Sequence, residues 1–62
     1  MLQINDCVKL KKEHAALASA GITIGAVVDN LSGTDIYTVE FVDTEGETIL
    51  LADFSENELE KV

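Results

Sequence analysis

Apolar and polar residues alternate through Cys7, Val8, Lys9, Leu10 and Lys11, with Val8 and Leu10 on one face and the cysteine and lysines on the other. A period of two marks a half-buried strand. Leu2 and Ile4 share the phase of Val8 and Leu10, so they either extend this strand past Asp6 or cover one end of the core. The pattern then changes. The segment KEHAALASAG, residues 12–21, is rich in good helix formers, and Gly21 stands where a left-handed C-terminal cap belongs. This predicts one or two helical turns ending near Ala20. A helix that short is marginal in isolation, so it must lean on the strands, with Leu17 as the contact.

The stretch ITIGAVVDNL, residues 22–31, reads as a second strand interrupted at Gly25, which suggests a bulge or a sharp bend. A loop carrying Gly33 follows. The third strand, IYTVEFVD, is the clearest. Tyr37, Val39 and Phe41 share one face, assigned to the core, and Glu40 marks the opposite face as exposed. Ile36 and Val42 therefore point outward. In DTEGE, residues 43–47, Asp43 suits the first position of a type I turn, and Gly46 supplies the positive φ of a bulged hairpin return. The fourth strand, TILLADF, turns Leu50 and Ala52 inward and leaves Ile49 and Leu51 outside. Ser55 and Glu58 match an S-x-x-E capping box, which predicts a single helical turn before a short last strand in LEKV.

The reading is mainly β: five short strands, a helical turn after the first and a 3₁₀-like turn before the last. A small SH3-like five-stranded barrel suits this order. An unclosed four-strand sheet with one helix is the alternative. With 62 residues the chain is one domain at most, 1–62. A domain of this size buries only about 60% of its unfolded surface. The single cysteine allows no internal disulfide, and no His/Cys cluster offers a structural zinc. Regular packing or self-association must stabilise it. Hydrophobic residues make up 47% of the chain, more than so small a core can enclose, and an apolar surface excess points to an interface.

The net charge is −8, from 12 acids against four lysines. Phosphate backbones and anionic lipids repel such a surface, so neither nucleic acid nor membrane is the expected partner. A basic protein would be steered in. No run approaches the roughly 20 apolar residues that span a bilayer, and MLQINDCVKLKK lacks the pattern of a signal peptide. A cytoplasmic location with Cys7 reduced is expected.

The segments DCVKL, GITIGAVV, YTVEFVDTEG and LEKV, spread over nearly the whole chain, resemble a family of small bacterial and cyanobacterial proteins of unknown function with a compact SH3-like fold. In that family a D-x-V-x-L strand precedes a G-x-x-G-T-V-V strand and a Y-x-V-E-F-x-D-x-x-G hairpin. Ala26 stands here in place of the usual threonine, and residues 12–20 are richer in alanine. ADFSENELEKV is more distantly similar to the end of photosystem I reaction-centre subunit IV, one of the SH3-like electron-transport accessory proteins. That subunit is basic, unlike this chain. Both resemblances imply a scaffold that works by contact.

No catalytic constellation stands out. His14 beside Glu13 has no built-in geometry, because helix neighbours point in different directions. Cys7 lacks an adjacent activating base. Asp43, Glu45 and Glu47 fall short of a calcium loop, which needs about 12 residues and a terminal bidentate glutamate. No phosphate loop is present. The expectation is a non-enzymatic protein–protein interaction module, itself a homo-oligomer, without metal or cofactor, acting as an inhibitor, an antitoxin or an accessory subunit. Its candidate partner surface is Asp29, Asp35, Tyr37, Asp43, Glu45 and Glu47. A self-assembling structural protein is the alternative, with Leu2, Ile4, Ile36, Val42, Ile49 and Leu51 as the oligomer surface. A ligand-binding protein with a site between subunits is a third.

Overall fold

The computed structural model describes residues 2–62. The predicted alternation appears as β1, Cys7–Leu10, with Val8 buried and its neighbours Cys7 and Lys9 exposed. The strand does not extend upstream. Asp6 Oδ2 accepts the Gln3 N–H at 2.9 Å, and Asn5 adopts a φ of 75°, so a turn precedes β1. Leu2 packs against the core from beyond this turn, while Ile4 is left exposed.

The alanine-rich segment forms α1, Ala15–Ala20. His14 caps its start, with Nδ1 accepting the Ala16 N–H at 3.2 Å. Gly21 ends it at a φ of 70°, and its N–H reaches the carbonyls of Leu17 and Ala18. Leu17 is the buried residue of α1, as expected. It joins the core cluster that Leu50 and Phe54 flank.

Strand β2 spans Gly25–Asn30, β3 spans Ile36–Val42 and β4 spans Thr48–Ser55. The bulge predicted at Gly25 lies instead between Val27 and Asp29, leaving Val28 without an opposite residue. Gly25 has a different reason to be glycine: the Phe41 ring packs directly on its Cα. The β3–β4 turn follows the prediction. Asp43 Oδ1 accepts the N–H groups of Glu45 and Glu47 at 2.8 and 2.9 Å, and Gly46 has a φ of 82°. The bulged return shifts the register between Phe41 and Val42. Beyond it, Leu50, Ala52 and Phe54 lie opposite Phe41, Val39 and Tyr37 on the inner face.

A 3₁₀ turn, Glu56–Glu58, leads into β5, Leu59–Lys61. Its capping box is present: the Ser55 N–H donates to Glu58 Oε1 at 2.8 Å. The strands form one antiparallel sheet in the order β4-β3-β2-β1-β5. Ser55 and Leu59 are joined by four Cα steps, at most about 15 Å, whereas a flat sheet would hold its outer strands about 19 Å apart. The sheet must therefore curl. It does not close into the barrel expected from the sequence: β4 and β5 remain its two edges. The three residues of β5 pair with β1 alone. Inside the curl, Val8, Leu17, Val27, Tyr37, Val39, Phe41 and Leu59 make the buried core. Phe54 meets Phe41 edge to face, with centroids 6.4 Å apart.

Candidate interaction surfaces

The predicted acidic residues do not form one surface. Asp29 and Asp35 flank the β2–β3 connection, while Asp43, Glu45 and Glu47 lie in the β3–β4 turn. The two sets stand at opposite ends of β3, about 20 Å apart along its seven residues. Two of these carboxylates already serve the fold, and a third residue does so through its backbone. Asp43 Oδ1 holds its turn as described, and Asp29 Oδ1 accepts the Asn30 N–H at 2.8 Å. Asp35 receives the Glu56 N–H on its carbonyl at 2.8 Å.

Tyr37 is not on the surface at all. It is 3% exposed, and its hydroxyl donates to Glu56 Oε1 at 3.2 Å. Loss of hydration and the adjacent Glu56 carboxylate raise its pKa above the ordinary 10.0, burial contributing most. The alternation that assigns Tyr37 to the core face agrees with this burial, and its inclusion in the partner surface does not.

The predicted apolar set also divides. Leu2 and Ile49 pack against the core, and Ile36 is half-buried. Ile4, Val42 and Leu51 are exposed, Leu51 by 58%. Ile24 and Val28, overlooked in the sequence, are exposed as well. Their signal was the alternation Ile24, Ala26, Val28 against Gly25 and Val27, hidden by reading Gly25 as an interruption.

Val42 and Leu51 lie on the outer face of the sheet. The register places Cys7, Ala26, Glu40 and Leu51 in a row across β1, β2, β3 and β4. Val42, two residues beyond Glu40 on β3, lies on the same face. Glu40 thus stands mid-face, half-buried, between Ala26 and Leu51 and one step from Val42. Its Oε2 accepts the Thr48 hydroxyl at 2.5 Å. Beyond it, Thr38 donates its hydroxyl to Asp53 Oδ1 at 2.6 Å, and Asp29 lies opposite Thr38.

A second feature is a cleft of about 520 Å³ between the β1–α1 loop and the 3₁₀ turn. Leu10 and Phe54 supply its apolar lining, with Lys12 and His14 on the loop and Glu58 on the turn. The Ser55 N–H, then the Ser55 hydroxyl, then the charge of Lys12 hold the Glu58 carboxyl below its ordinary pKa. His14 Nδ1 is committed to the helix cap. Among the described residues, no group of three or more His, Cys, Asp and Glu side chains is placed to hold a metal ion, and no helix is long and apolar enough to cross a membrane.

No curated protein and no solved structure matches the chain. A family-wide sequence profile, described as a domain of unknown function, DUF4926, matches residues 5–61, from the turn before β1 to the end of β5. That match takes in every element just described, and the chain belongs to the DUF4926 family.

Proposed function

We propose that the domain is a non-catalytic protein–protein interaction module that docks a basic protein partner on the outer face of its sheet. The observation that carries this reading is the position of Glu40, a carboxylate set mid-face among Ala26, Val42 and Leu51. An apolar patch with a polar rim marks interaction surfaces. A carboxylate within such a patch favours a partner that brings a lysine or arginine to it, since a charge removed from water must be paired. Asp29 and Asp53 at the margin, with the overall charge of −8, add steering toward a basic surface. The same charge disfavours nucleic acid and anionic membranes. The role is that of an inhibitor, antitoxin or accessory subunit in the cytoplasm, where the exposed Cys7 thiol stays reduced.

Affinity capture from native host extract tests this. The expected result is one basic protein recovered in stoichiometric amount and released as salt is raised. Recovery of no stoichiometric partner across growth conditions would remove the basis of the reading.

A further inference from the structure

We infer that β4 is an assembly edge, which pairs antiparallel with β4 of a second copy to continue the sheet across a twofold axis. The two edges of the open sheet differ sharply. β5 has three residues, two of them charged, Glu60 and Lys61. Short, charged edges are how folded proteins block unwanted strand pairing. β4 has eight residues, and Asp53 is the one charge among them. Its inner side is fully paired with β3 from Ser55 to Leu50. Among the described residues, no backbone hydrogen bond joins the outer edge of β4 to another segment. The stretch Thr48–Ala52 carries no charge in a chain of net −8, so it is where two copies can approach with least repulsion.

The occupant follows from self-complementarity. About a twofold axis perpendicular to the sheet, opposite residues of the two copies share a face, so the axis passes through one residue position. An axis at Asp53 sets two carboxylates against each other, and like charges directly opposite are destabilising. An axis at Leu51 runs Asp53 into the bulged return at Ile49. An axis at Ala52 uses the regular stretch 50–54 alone. It places the small alanine against its own copy, Leu50 against Phe54 on the inner face, and Leu51 against Asp53 on the outer face. No acid then faces an acid. This pairing goes beyond the docking of a basic protein and does not depend on it.

The test is light scattering of the purified chain across a dilution series, beside hydrogen exchange of the β4 amides. The expected result is a dimer at tens of micromolar, with the outward amides of residues 50–54 losing protection on dilution. Leu51→Glu sets a carboxylate directly opposite Asp53 of the second copy, where like charges are destabilising. It should weaken dimerisation at least tenfold while circular dichroism shows the fold retained. A monomer at all concentrations, or a dimer that Leu51→Glu leaves intact, would overturn the inference. Glu40→Lys separates the two proposals: it should abolish capture of a basic partner and leave the dimer in place. A monomeric chain that still captures such a partner would refute the edge pairing alone.

Discussion

The ring of Phe41 occupies the space a side chain at residue 25 would need. A Cβ there would lie 2.7 Å from both Cδ1 and Cε1 of Phe41 and 2.8 Å from the Glu40 carbonyl oxygen. Both residues are buried, and the nearby carbonyl belongs to the backbone of β3. Neither obstacle can swing aside. Gly25→Ala should therefore destabilise the fold by about 1–3 kcal/mol, the usual range for overpacking. Urea unfolding measures this. Coupling to Phe41→Leu in a double-mutant cycle should recover part of the loss. Additive effects would contradict the contact.

His14 caps α1 by accepting the Ala16 N–H on Nδ1. Removing that acceptor leaves an N–H at the helix start without its partner, at a cost of typically about 1 kcal/mol. His14→Ala should lower stability by that order, and His14→Asn should restore most of it. Chemical denaturation of the three proteins decides the point. Equal loss in both variants would mean that the imidazole acts through its bulk.

Glu58 titrates below its ordinary pKa, mainly because the Ser55 N–H and hydroxyl bond its ionised form. Its stabilising contribution is then complete above the unfolded carboxyl range and is lost as pH falls through the lowered folded value. Stability should decline in acid. Glu58→Gln should flatten that decline, since an amide does not ionise. Thermal midpoints measured between neutral pH and pH 3 compare the two.

Tyr37 shifts in the opposite direction for the opposite reason. Burial first, then the bond to Glu56, disfavours its phenolate, so the folded pKa lies above the ordinary 10.0. The contribution of the neutral phenol is complete below the unfolded value and is lost as pH rises through the folded one. The chain has a single tyrosine, so ultraviolet absorbance during alkaline titration reads this group alone. A midpoint above 10 is expected, coinciding with loss of structure. A midpoint at the free value in the folded protein would contradict the buried placement.

Local chemistry in the sequence was a good guide to this fold. The phase of Tyr37, Val39 and Phe41, the Asp43–Gly46 turn, the Gly21 cap and the Ser55–Glu58 box each depend on neighbours a few residues away. Each appears as read. What failed was set by distant residues. Gly25 accommodates a ring 16 positions further along, and nothing adjacent to it in the chain says so. Closure of the barrel requires pairing between β4 and β5, which are distant ends of the sheet order. The candidate surface was less legible still. The carboxylates of the two β3 hairpins stand apart because successive hairpins lie at opposite ends of their shared strand. Glu40 was read as a marker of exposure. Its neighbours Ala26 and Leu51 come from β2 and β4, and only the register brings them beside it.

The proposed function stands or falls on a basic partner docking around Glu40. The most direct test compares wild-type, Glu40→Gln and Glu40→Lys baits in quantitative capture from native host extract, after confirming equal folding by circular dichroism. A stoichiometric partner is expected with the wild type, markedly less with the amide and none with the lysine. Equal recovery by all three baits would contradict it.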